Sequence, residues 1–146
     1  MKLRGNSPAK VDEKGRLKIP AGFLEELREF GDQFYITSTN GESARIYPMK
    51  VWSELEDRLA KLPSSHKPKQ KFLFATSYYG QAVEVDSQGR ILIPPVLREA
   101  AQMKGDVDVM GHLTYLEVWN HGRSLENLKK SPITDDDLKI LDELGI

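Results

Sequence analysis

The chain has 146 residues, of which 39% are hydrophobic and 29% charged, the composition of a globular protein and not of a disordered or fibrous one. It contains no cysteine, which excludes a disulfide framework, a thiol nucleophile and thiolate metal sites, and suits a reducing cytoplasm. The formal net charge of −1 excludes a globally basic, histone-like binder but leaves room for a local basic face.

The amino-terminal MKLRGNSPAK holds no apolar run of signal-peptide length, and no later stretch is apolar for long enough to span a bilayer, so no membrane partner is expected. Residues 1–20 set Lys2, Arg4, Lys10, Lys14, Arg16 and Lys18 against Asp12 and Glu13, a local excess of four positive charges. Ala9-Lys10-Val11-Asp12 and Arg16-Leu17-Lys18-Ile19 both alternate with the period of a half-buried strand. Between them Asp12-Glu13-Lys14-Gly15 is a tight turn, in which the Asp side chain bonds its own backbone and Gly supplies a positive φ. The result is a β-hairpin with Lys10, Arg16 and Lys18 on its polar face. Pro20 then fits the first turn of a helix carrying Phe23, Leu24, Leu27 and Phe30, which Gly31 ends.

Strands are expected at Asp32–Thr37 and Ala44–Tyr47, around a loop with Asn40-Gly41. Pro48 opens a second helix with Trp52, Leu55, Leu59 and Leu62 on one stripe, and Pro63–Pro68 breaks it. A short helix over Lys69–Tyr78, with Phe72, Leu73 and Thr76 facing inward, follows the break. The opening plan then returns. Asp86-Ser87-Gln88-Gly89-Arg90-Ile91-Leu92-Ile93-Pro94 repeats Asp12–Pro20 at an offset of 74 residues, and Gly105-Asp106 falls on Gly31-Asp32 at that same offset. Val83 and Val85 mark the incoming strand, Arg90–Ile93 the return strand, and Pro94-Pro95 a helix through Val96, Leu97, Ala100 and Met103. Strands near Asp106–Met110 and Thr114–Trp119 complete the second unit. A helix around Leu125 and Leu128 comes next, and past Ser131-Pro132 a Thr134/Asp137 capping box leads an acidic tail helix that packs on a neighbour or frays. The expected divisions are a first unit over 1–62, a linker and short helix over 63–80, a second unit over 81–130 and the tail over 131–146. Units of this size build only marginal cores alone, so intertwining or oligomerisation is expected.

Catalysis has little support in these residues. His66, His112 and His121 lack the helical spacing of a metal motif, and Asp135-Asp136-Asp137 at a helix start serves the helix dipole. Asp12 and Asp86, imagined as a carboxylate dyad, each have an arginine within one turn that would keep the acid ionised. Trp52 and Trp119 read as core or subunit contacts. The arginines carry two readings: Arg16 and Arg90 pair with Asp12 and Asp86 across the turns, or they contact phosphate. Lys10, Lys14 and Lys18 surround Arg16, whereas the equivalent positions around Arg90 are Glu84, Gln88 and Leu92. The first unit is therefore expected to supply a nucleic-acid surface and the second mainly to pack, contributing Arg90 to a subunit interface or to a phosphate.

With Arg4-Gly5, DEKGRLKIPAGF, IYPMKVW and DSQGRILIPPVLRE in these positions, the chain up to about residue 130 resembles the MraZ family of bacterial regulators, built from two AbrB-type (SpoVT-AbrB) domains. The resemblance implies an α+β, mainly β fold of tandem AbrB-type swapped-hairpin β-barrel repeats with flanking helices. It implies a cytoplasmic, nucleoid-associated transcriptional regulator, usually a repressor. Such a protein binds double-stranded DNA at repeated promoter elements ahead of the division and cell-wall gene cluster, as a ring-like homo-oligomer. The family's DNA-binding arginine carries over to Arg16 and that of the second motif to Arg90. Lys10, Lys14 and Lys18 are added from charge and position, and Asp12, Gly15, Asp86 and Gly89 shape the turns. No catalytic residue, metal, cofactor or small-molecule substrate is expected. The alternative is an AbrB-type interaction module whose charged turns bind a protein partner.

Overall fold

A computed structural model describes residues 1–146. Its strands are β1 (Leu3–Val11), β2 (Arg16–Lys18), β3 (Gln33–Thr37), β4 (Ala44–Pro48), β5 (Gln81–Glu84), β6 (Arg90–Leu92), β7 (Gly105–Leu113) and β8 (Tyr115–Asn120). Its helices are α1 (Ala21–Leu27), α2 (Met49–Ala60), α3 (Lys67–Tyr78), α4 (Pro95–Ala100), α5 (His121–Lys130) and α6 (Asp135–Glu143). All eight strands belong to one antiparallel sheet in the order β5-β3-β4-β8-β7-β1-β2-β6. The end strands β5 and β6 are joined by the second turn, where the Asp86 amide donates to the Arg90 carbonyl at 2.9 Å, so the sheet curls into a nearly closed barrel. The fold is α+β and organised by this sheet. No helix is long and apolar enough to cross a membrane.

The order interleaves the two repeats. Equivalent strands pair with each other, β2 with β6 and β4 with β8, while β1 pairs with β7 and, reciprocally, β3 with β5. The exchange extends to the turns: the Ile19 amide donates to the Gly89 carbonyl at 3.0 Å, and the Ile93 amide to the Gly15 carbonyl at 2.9 Å. The reason is burial. A hairpin with one apolar stripe cannot cover it alone, and the stripe from each unit meets the other. Leu17 and Ile91 face each other across β2 and β6, 0% and 1% exposed, in one core of 19 buried residues drawn from both units.

Pro20, Pro48 and Pro94 each stand immediately before a helix, where a residue without an amide donor loses nothing. Gly31, at φ 103°, ends the 3-10 turn Arg28–Phe30 that extends α1. Four local expectations differ from the structure. Strand β1 begins at Leu3, because its nine-residue ladder with β7 overrides the breakers Gly5 and Pro8. Helix α4 stops at Ala100; Gln102 turns left-handed (φ 53°) and the Met103 amide bonds back to the Arg98 carbonyl, so Met103 is buried from outside the helix. Leu62 and Leu73 are each 37% exposed, since α2 and α3 cover the end of the sheet through aromatic contacts instead of a leucine stripe. There Trp52 stacks on Tyr35 at 4.5 Å and on Phe72 at 6.2 Å. Finally α3 starts at Lys67, before the expected Lys69, because the His66 ring accepts from the Lys69 amide and caps it.

Candidate nucleic-acid interface

Each Asp-x-x-Gly-Arg turn is a closed hydrogen-bonded unit. Asp12 Oδ1 accepts from the Lys14 and Arg16 amides, both at 2.9 Å, and Asp12 Oδ2 accepts from Arg16 Nε at 2.8 Å. Asp86 repeats this with Gln88 (2.8 Å), Arg90 (2.9 Å) and Arg90 Nε (2.9 Å). Donated bonds favour the charged form. The Arg16 amide, with the Arg16 guanidinium and the Lys14 amide behind it, holds the Asp12 carboxyl below its ordinary range; the Arg90 amide does the same for Asp86. Gly15 and Gly89 take φ 82° and 75°, a region costly for any residue with a Cβ. The pairing of each arginine with the aspartate across its turn is therefore the geometry present. The Asp–Arg pair fixes the hairpin through Nε and leaves the outer Nη groups of each guanidinium without a protein partner.

The ladder decides where these side chains lie. Arg16 is opposite Leu92, Leu17 opposite Ile91, and Lys18 opposite Arg90. With Leu17 and Ile91 buried, Arg16, Lys18, Arg90 and Leu92 share the outer face of a two-stranded ribbon that holds three cations, two of them paired with the turn carboxylates Asp12 and Asp86. Lys10 extends the same face on β1, and its ammonium lies 3.9 Å from Asp106 with both side chains largely exposed, a weak pair. Lys14 is exposed at the tip of the first turn. The second unit also borders this face. Its return strand brings Arg90 onto the face that Arg16 and Lys18 occupy, a juxtaposition that depends on the pairing of β2 with β6 and has no local sequence signal. Arg98 is a further cation that sequence reasoning missed. Its guanidinium occupies the space where a Cβ on Gly15 would stand, while Gly89 packs against Leu24, the equivalent of Arg98 in the other unit.

The histidines find structural partners elsewhere. His66 caps α3, His112 Nδ1 lies 3.2 Å from Glu117 Oε2, and His121 Nδ1 lies 3.0 Å from Asp108 Oδ2. Asp108, 5% exposed, also accepts from the Ser124 hydroxyl, so both α5 side chains converge on one carboxylate that anchors the helix to β7. Burial raises the Asp108 pKa, but the Ser124 and His121 bonds outweigh it and hold the carboxyl low. The serine is bonded to the acid and not to the imidazole, so the trio lacks the relay a nucleophile requires. The expected capping box is present, Thr134 Oγ1 accepting from the Asp137 amide and Asp137 from the Thr134 amide.

Comparison with known proteins adds a family. A family described as "MraZ protein, putative antitoxin-like" matches residues 3–75 and 80–124. The chain is 49% identical over 145 residues to a protein of Acidobacterium capsulatum and 50% identical over 146 residues to one of Koribacter versatilis, with 99% of both chains covered in each case. It is 36% identical over 137 residues to a protein of Caldicellulosiruptor bescii, covering 93% of this chain and 94% of the relative. All three relatives carry the name transcriptional regulator MraZ.

Proposed function

The chain belongs to the MraZ family, and from that premise we propose that it is a transcriptional regulator that binds double-stranded DNA through the outer face of the β2–β6 ribbon. The observation that carries the reading is the concentration of Arg16, Lys18 and Arg90 on two adjacent strands, with the outer ends of both guanidinium groups left open by their turn carboxylates, on a chain whose net charge is −1. A cationic ribbon of this width fits the major groove, where side chains reach base edges while flanking lysines hold phosphates. Lys10 and Lys14 supply those flanks, and the Asp12 and Asp86 turns hold the two guanidinium groups in fixed directions.

The same reading extends to assembly and target. The protein acts as a homo-oligomer, ring-like in the manner the family resemblance implies. It recognises repeated promoter elements ahead of the division and cell-wall gene cluster and acts there as a repressor, in the cytoplasm and associated with the nucleoid. Unpartnered apolar side chains support self-association: Leu125 and Leu128 on α5 are 57% and 65% exposed, Leu138 and Ile140 on α6 are 51% and 59% exposed, and Leu144 just past its end is 71% exposed. Repeated subunits on repeated sites turn a modest individual contact into a specific one through avidity.

The test is Arg16→Ala, assayed on a duplex carrying the DNA upstream of the protein's own gene. The variant is expected to lose binding by at least about tenfold, a cost in the range of one good charged base or phosphate contact, with its melting temperature and oligomer mass unchanged. Wild-type affinity is also expected to fall by orders of magnitude between low and moderate salt, as release of counterions from several phosphates requires. Full-strength binding by Arg16→Ala removes the ribbon as the site. Salt-insensitive retention of a protein partner in place of DNA favours the interaction-module reading.

A further inference from the structure

The two-fold relation between the repeats is kept at one outward position of the ribbon and broken at the other. Arg16 and Arg90 are equivalents at the 74-residue offset, but Lys18 is matched by Leu92. Leu92 is 51% exposed and lies directly opposite Arg16 in the ladder, so an apolar side chain stands beside that guanidinium on the outer face. The asymmetry continues one strand outward on each side. Lys10 on β1 is matched by Glu84 on β5, with Val83 and Val85 turned to the core and Glu84 to solvent. The half of the face around β2 therefore carries Lys10, Arg16 and Lys18, while the half around β6 carries Arg90 alone beside Leu92 and Glu84.

In the major groove the one apolar group a base offers is the C5 methyl of thymine, and apolar side chains read it by contact. We infer that Leu92 is a specificity-determining residue that contacts a thymine methyl, so that this pseudo-symmetric ribbon reads an asymmetric site and docks in one orientation. The inference rests on the DNA-binding reading and deepens it. Leu92 also spares Arg16 a like-charged neighbour, since a lysine there would stand opposite the guanidinium. That structural role alone would give no sensitivity to a methyl group on the DNA.

The experiment uses the full-length protein and a duplex of the DNA upstream of its own gene, prepared once with thymidine and once with deoxyuridine throughout. Wild type is expected to bind the uracil duplex about three- to fivefold more weakly, the loss of roughly one buried methyl. Leu92→Ala is expected to bind both duplexes alike, at the level of wild type on uracil. Lys18→Ala is expected to weaken both while keeping the wild-type ratio between them. Equal binding of both duplexes by wild type, or a thymine preference surviving in Leu92→Ala, overturns the inference while leaving the DNA-binding reading intact. Failure of wild type to bind either duplex overturns both.

Discussion

Arg16 is held at one end of its guanidinium and open at the other. Nε is tied to Asp12 Oδ2 at 2.8 Å, and Asp12 Oδ1 is occupied by two backbone amides. An Asp12→Asn change keeps an oxygen for the amides but removes the charge that fixes Nε. The expected outcome is a near-wild-type melting temperature, weaker DNA binding, and an unchanged slope of affinity against salt, because the number of cations is the same. Wild-type affinity in that variant would show that the turn does not orient the arginine. The pH dependence follows from the lowered carboxyls of Asp12 and Asp86. A depressed acid stabilises the fold above its unfolded pKa of about 3.9 and loses that contribution as pH falls through the lower folded value. The charged pairing of the turns is therefore fully present at neutral pH, and its small contribution is lost only in strong acid. At this scale the sequence was legible wherever partners are close along the chain: Asp12, Gly15 and Arg16 hydrogen-bond within five residues. The contribution of Arg90 to the same face, and the seat of Arg98 against Gly15, required partners from the other unit.

Between the two hairpins the pairing of β2 with β6 is only three residues long, yet it sits on the axis of the exchange. Leu17 is fully buried against Ile91 at its centre. Truncation to alanine leaves a cavity bounded by both units, and such changes cost about 2–5 kcal/mol in well-packed cores. Leu17→Ala is expected to lower the thermal midpoint accordingly by circular dichroism, while Leu92→Ala on the outer face of the adjacent strand shifts it little, within about 0.5 kcal/mol. Comparable losses in the two variants would mean that the ribbon is not two-faced. Turn chemistry and alternation mark β2, β6 and the Pro-initiated helices because those signals are local. Strand β1 escaped in part for the opposite reason: its partner β7 lies about a hundred residues away, and Gly5 and Pro8 disguise the first half of the strand. The inward face expected for α3 failed on Leu73 because the helix packs through Phe72 and Thr76, whose carbonyl accepts from the Thr37 and Tyr35 hydroxyls at 2.7 and 3.0 Å.

Across the whole molecule, the interleaving makes the two repeats one folding unit. Residues 1–62 alone would keep the β1–β2 and β3–β4 pairings but leave β1 without β7, β2 without β6, β3 without β5 and β4 without β8. A second copy offers near-equivalents of each missing strand: its β3 for β7, its β2 for β6, its β1 for β5 and its β4 for β8. The isolated segment is thus expected to fold only as a dimer, the arrangement of the full chain with its second unit replaced by a copy of the first. That dimer carries two facing like-charge pairs, Lys18 of each copy opposite Arg16 of the other, where the full chain has one, Lys18 opposite Arg90, and sets Leu92 opposite Arg16. Its dissociation should be coupled to unfolding, with a melting temperature that rises with protein concentration and with salt that screens the facing charges. Light scattering and concentration-dependent melts of residues 1–62 would decide the matter. A folded monomer with a concentration-independent transition would show that each repeat holds its own core, and the exchanged sheet would then be a docking of finished domains.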